Sequence, residues 1–184
     1  MSGDHRLPPL TDEDWPEDVA DMLHGFAGGL NVYRTMAHHP DLLRAWTALR
    51  DHVVNHTALG RERAEVVILR TGVRLGSDYE WSQHILRARQ FGLTDRRIAG
   101  MRGAPGAMEP EDALLARAVD QLFDDAALSG ETLSALKELV GTAGVLDLMT
   151  TVGFYSTLGF ILNSFDTPLD ADAVSTLAER PLED

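Results

Sequence analysis

Apolar residues recur along the chain at three- and four-residue spacings, whereas alternating strand-like runs and Asn-Gly or Asp-Gly hairpin signals are lacking. That period predicts an all-α protein. A first helix is expected over 15–26, with Thr11 or Asp14 as cap, Pro16 in its first turn and Gly25, Gly28 and Gly29 ending it. A helical stretch then starts near Val32, breaks at Pro40, and resumes with Leu42, Leu43, Trp46, Leu49, Val53 and Val54 as an apolar face. The segment RERAEVVILRTGVRLG buries Val66, Val67, Leu69 and Val73 and stops at Gly76. Ser77 or Asp78 caps the next helix, YEWSQHILRARQFG, whose last turn carries Arg87 and Arg89 before Gly92. Thr94 opens a short helix, and APGAMEP is a loop separating two halves of one domain. Helices are expected over 109–123, 131–140 and 145–163; the last is apolar nearly all round, which places it deep or in a subunit interface. After FDTPLD a short acidic segment remains, predicted to lie on the surface or against a partner.

Composition sharpens this picture. The 184 residues, 44% hydrophobic and 24% charged, suffice for one core, so 1–184 is expected to be a single domain with a flexible segment over 1–14. No apolar run reads as long enough to cross a bilayer, and the opening MSGDHRLPPLTDEDWPED lacks the pattern of a secretory signal, so a cytoplasmic location and no membrane partner are expected. The 29 acidic residues against 16 basic, a formal charge of −13, argue against a nucleic-acid partner, because that binding rests on Lys and Arg. The absence of cysteine excludes disulfides, thiolate metal sites and cysteine redox chemistry in this chain.

The chemistry-bearing stretch is SDYEWSQH. Glu80 and His84 stand four apart, so on a helix they share a face, with Tyr79 and Trp81 flanking the carboxylate. Such a pair can act as general acid and base, since imidazole titrates near neutral pH and burial raises a carboxyl towards it. The same spacing on a solvated face does no more than support the helix. Glu65 heads the apolar run VVIL and faces inward if its helix packs beside that of Glu80; two carboxylates converging on His84 would raise one pKa.

Four segments, NVYRTMAHHPDLL, RERAEVVILRTG, YEWSQHILRARQFGLTDRRI and TVGFYSTLGFILNSFDTPLD, together resemble the carboxymuconolactone decarboxylase family, which includes the alkylhydroperoxidase D peroxidases. The similarity runs over 31–170. It implies an all-helical fold assembled as trimers or hexamers, with the site at a subunit contact. In the peroxidase branch a Cys-x-x-Cys pair precedes the histidine and an upstream glutamate joins a proton relay. Matched on His84, those positions fall on Ser77, Glu80 and Glu65. Both thiols are absent, and a serine hydroxyl forms neither a sulfenic acid nor a disulfide, so thiol peroxidase chemistry is excluded. What remains resembles the cysteine-free branch, whose type reaction converts 4-carboxymuconolactone to an enol-lactone without a cofactor. The resemblance thus implies His84 as acid, Glu80 orienting it or acting as base, and Glu65 in support. Isomerisation, lactone opening and dehydration would use the same apparatus.

Other residues compete with it for a role. Arg34 could grip an anionic substrate or form a structural salt bridge, and Tyr155 could turn its hydroxyl into a pocket or be satisfied in the core. Because the net charge opposes an anion, local cations such as Arg34, Arg61 or Arg70 would be needed. His52 and His56, four apart, with His84 as a third imidazole, lack any recognised metal motif, and no metal is expected; His38 and His39 before Pro40 read as turn residues. The expected function is therefore a cofactor-independent lyase or isomerase acting on a small lactone or carboxylate. A reading from a different class is a non-catalytic oligomeric scaffold or binding protein. A closed cavity shared by Glu80 and His84 would favour the first, an open surface the second.

Overall fold

The computed structural model describes residues 6–182, and every regular element among them is helical. The elements are α1 (Asn31–Met36), α2 (Pro40–Asp51), α3 (Arg61–Leu75), α4 (Asp78–Gln90), α5 (Asp95–Gly100), α6 (Pro110–Asp124), α7 (Gly130–Phe165) and α8 (Ala171–Glu179). A 3-10 turn over Glu17–Met22 and a π turn over His52–His56 complete the first half.

Helix ends follow their local chemistry. Gly76 adopts a left-handed conformation (φ 59°, ψ 35°) that ends α3, and Ser77 Oγ accepts from Glu80 N at 3.4 Å to open α4. Thr94 caps α5 in the same way, accepting from Arg97 N at 3.3 Å. Gly141 (φ 69°, ψ 177°) breaks α7 into 130–140 and 142–165, the two helices that the apolar period predicts. The helix expected over 15–26 is instead the short 3-10 turn, non-helical at Val19 and without a side-chain cap. The backbone leaves the helical region at Val19 (φ −128°, ψ 24°), and the stretch docks through buried Val19 and Met22 instead. The acidic end forms a regular helix, α8, packed on α4.

Two further expectations are corrected. Of the segment 1–14, residues 1–5 lie outside the described residues, whereas the chain from Pro8 onward is tied down. Arg34 Nη1 donates to Leu10 O at 2.7 Å, Arg34 pairs with Asp12 at 2.6 Å, and His38 Nε2 donates to Pro8 O at 2.8 Å. Helix α7 also contains an 18-residue window of mean hydropathy 1.5, long and apolar enough to cross a bilayer, but 56% of that window is buried inside the protein. Its composition is accounted for by its place in the core.

Helix α3 is central, packing against α4, α6 and α7. All nine residues from Ala64 to Gly72 are buried, so the stripe expected from sequence becomes burial on every side. One apolar cluster joins Val66, Val67 and Leu69 to Trp81, Ile85, Leu115 and Leu148; a second joins Ile68 to Tyr33, Leu43, Tyr79, Phe154 and Leu158. Gly72 permits the close approach of α4, since a Cβ there would stand 3.4 Å from Glu80 Cβ. Two charged residues lie within the buried stretch, Glu65 and Arg70. The Arg70 guanidinium binds Asp120 through Nε and Nη2 (2.8 and 2.6 Å) and donates to the carbonyls of Met101 and Gly103, both at 2.8 Å.

Removing one partner of a buried pair strands the other charge. Asp120→Ala is expected to destabilise the protein by about 3–5 kcal/mol. Asp124→Ala, which removes an exposed partner of Arg74, should cost a small fraction of that. Urea denaturation of both variants at one protein concentration checks the contrast, and equal losses would show that Arg70 is not the group being stranded.

Candidate active site

Glu65 on α3 and Glu80 and His84 on α4 converge in the interior, at 3%, 3% and 4% exposure. His84 Nδ1 lies 2.6 Å from Glu65 Oε2. A carboxylate accepts, so Nδ1 carries the proton and donates, leaving the Nε2 lone pair directed away from Glu65. Nε2 stands 3.5 Å from Glu80 Oε2, the contact that the four-residue spacing provides. Burial pushes the Glu80 carboxyl up to about 7; His84 and Arg87 oppose the rise, while Glu65 and Asp170 add to it. Glu80 Oε1 is buried without a hydrogen-bond partner. Tyr155, from α7, meets the His84 ring edge-on at 4.9 Å, and its phenol is held far above its ordinary pKa by burial.

A small cavity of about 30 Å³ opens on this group, lined by Glu80, His84, Tyr33, Tyr79, Tyr155, Arg50 and Arg87 among others. Tyr33 is pushed up to about 12, mainly by burial, with the neighbouring Arg50 acting against it. Asp170, from FDTPLD, closes one side of the site. It accepts from the Tyr79 hydroxyl, from Gln83 Nε2 at 2.6 Å and from Asn31 N at 2.8 Å, tying the start of α8 to α1 and α4. Burial, the largest influence on Asp170, raises its pKa.

The structure thus brings Glu65, Glu80, His84, Tyr79 and Tyr155 together, although the Tyr79 hydroxyl is bound by Asp170. It does not bring Arg34 or Trp81 there. Arg34 donates to Gly28 O, Leu10 O and Asp12, the structural alternative. Trp81, one residue past Glu80, turns about 100° round α4 into the first apolar cluster, where Arg102 stacks on its ring at 4.4 Å. The other cations expected at the pocket are also engaged elsewhere, Arg61 over the Phe91 ring and Arg70 with Asp120. Arg50 and Arg87 occupy that role in space. Arg87 was findable, lying three residues past His84 on one helix face, but nothing local marks Arg50 on α2. Ser77, buried at 2%, serves as the α4 cap. His52 and His56 pair with Asp147 and Asp51 at 2.7 and 3.3 Å.

A raised Glu80 pKa makes the folded protein hold a proton that the unfolded chain releases above its ordinary value of 4.5. The stability associated with that proton is present below about pH 4.5 and lost as pH rises through about 7. Glu80→Gln abolishes this dependence. It is expected to exceed the wild type in stability by roughly 3 kcal/mol at pH 8, with the advantage vanishing towards pH 4.5. Urea midpoints across that range measure it; a pH-independent difference would mean that Glu80 titrates as an ordinary carboxylate.

The sequence profile of the Carboxymuconolactone decarboxylase family matches residues 40–120, a span that includes Glu65, Glu80 and His84. No curated protein matches the chain. Among solved structures, it is similar to an alkylhydroperoxidase AhpD core, an uncharacterized peroxidase-related protein from Ralstonia eutropha JMP134, with TM-score 0.74, 16% identity, and 92% of this chain and 95% of that one covered. A peroxidase-related protein from Silicibacter sp. TM1040 gives TM-score 0.75 at 12% identity, covering 91% of each chain. The apo debrominase Bmp8 gives 0.71 at 16% identity, covering 94% and 96%. At these identities the likeness is one of fold. Through residues 40–120, and in a sequence without cysteine, the chain is similar to the carboxymuconolactone decarboxylase family.

Proposed function

We propose that this protein is a cofactor-independent lyase or isomerase that moves protons on a small lactone or carboxylate substrate. The observation that carries this reading is the buried chain Glu65–His84–Glu80, with one carboxyl pushed up to about 7. Glu65 fixes the ring through Nδ1, so Nε2 is the atom that exchanges a proton with Glu80 or a substrate. In a decarboxylation, the bond to the leaving carboxylate breaks and its electron pair enters a conjugated enolate. Nε2 takes a proton from the Glu80 carboxyl and delivers it to carbon, and Glu80 regains a proton from solvent. Isomerisation would begin instead with Nε2 removing a proton from one carbon and end with its return to another. Thiol chemistry is not available to a chain without cysteine.

A second reading, a non-catalytic oligomeric scaffold or a binding protein for something smaller than a lactone, is favoured by one observation, the cavity's volume of about 30 Å³. A lactone needs more room, so turnover requires the walls to part. A screen of lactones and β-keto acids distinguishes the two. Wild-type turnover should fall by about 10²–10⁴ in His84→Gln and Glu80→Gln proteins that fold normally. Undiminished rates would remove the acid–base assignment, and no turnover by the wild type would favour the second reading.

The chain is also proposed to form a homo-oligomer, the trimer or hexamer that the family resemblance implies. Leu146 and Phe160, 59% and 60% exposed, stand two heptads apart on one face of α7 with Gly153 between them. Phe160→Asp is expected to shift the sedimentation mass towards a 20.2 kDa monomer, and an unchanged mass would place the contact elsewhere.

A further inference from the structure

Two buried polar atoms at the cavity beside His84, Arg50 Nε and Glu80 Oε1, have no hydrogen-bond partner among the described residues. Such atoms are rare in folded proteins, and a donor and an acceptor orphaned at one cavity mark where a ligand's polar groups belong. Arg87, on the same cavity, makes no ion pair or hydrogen bond among the described residues. The other arginines with shielded side chains are matched with carboxylates: Arg70 with Asp120, Arg89 with Asp95, Arg97 with Asp112. Arg50 is held in place from beneath, its guanidinium 4.4 Å over the Phe26 ring, which itself meets Tyr33 edge-on at 5.0 Å.

On the reading of the site given above, we propose that Arg50 and Arg87 form a carboxylate clamp. The ligand is a short organic acid whose carboxylate lies between the two guanidinium groups, while a hydroxyl or enol oxygen donates to Glu80 Oε1. Planar guanidinium forks match a planar carboxylate, and the free volume of about 30 Å³ suits such a head group. The clamp is built from α2 and α4, so it sets the acid's reacting carbon against His84 Nε2, one helical turn before Arg87 on the same face.

The test is calorimetric titration of the full-length protein with malonate and succinate, with their diamides, and with inorganic phosphate. The dicarboxylates should bind the wild type and bind at least about tenfold more weakly to Arg50→Gln and to Arg87→Gln. The diamides should give no binding heat, and Arg61→Gln, remote from the cavity, should keep wild-type affinity. If either glutamine variant fails to fold, the Lys replacement keeps the charge without the fork and should still weaken binding. Undiminished affinity in these variants, equal binding of diamides or phosphate, or no binding of either acid would overturn the clamp. A wild-type protein that binds acids at this clamp without turning any over would sink the acid–base reading and leave this one standing.

Discussion

A single helix buried on every side, and carrying two charges, constrains the rest of the molecule. From Ala64 to Gly72 no residue of α3 reaches solvent freely, so both Glu65 and Arg70 need partners that the fold itself delivers. Arg70 is supplied from α6 and the segment after α5, with two carboxylate oxygens and two carbonyls filling its guanidinium. Four of its five N–H groups are thus bonded, and that end is structural. Glu65 is supplied by one imidazole, and this end is unsaturated: His84 Nε2 faces a second carboxyl at 3.5 Å, one of whose oxygens has no partner. The difference between a buried ion pair and a site is visible here as the difference between a charge met by its counter-charge on both forks and a carboxyl with an oxygen left over.

The second carboxyl owes its poise to a balance rather than to one neighbour. Burial alone would drive Glu80 well upward; the imidazole and Arg87 pull it back, and Glu65 and Asp170 push again, leaving it near neutral pH. His84 and Arg87 come from α4 itself, but Glu65 comes from α3 and Asp170 from the segment after α7, so the full balance exists only in the folded state. Asp170 shows how far apart the contributors are. It ties the tail that follows α7 to the N-terminus of α1 and to Tyr79 and Gln83 on α4, and that one carboxylate therefore both closes the site and tunes it.

Local signals made much of this legible in the sequence. Gly76, Ser77 and Thr94 act at α-helix boundaries through their own backbone or side chain, and the Glu80–His84 spacing is a property of any helix. The convergence of Glu65 required only that α3 and α4 pack side by side, which Gly72 permits. What stayed hidden was long-range. Arg50 lies on α2 with no local mark, and its relevance comes from Phe26, Tyr33 and the cavity meeting in space. Trp81 misled for the opposite reason, since proximity in sequence to Glu80 carries it round the helix into a different cluster. The first helix failed because docking of Val19 and Met22, rather than helical propensity, shapes that stretch.

The chain's charge of −13 and a cavity edged by two arginines are compatible because they act over different distances. Beyond a Debye length the surface carboxylates are screened, and what remains of their field slows the approach of an anion without setting its affinity. Inside the cavity the surroundings are of low dielectric, and the nearest groups dominate. Arg50 and Arg87 stand there against Glu65 and a Glu80 that is protonated for much of the time near neutral pH. The two guanidinium groups at this cavity offset the nearby carboxyls of Glu65, Glu80 and Asp170, so the field an anion meets there is set by the groups around the cavity and not by the net charge of the chain.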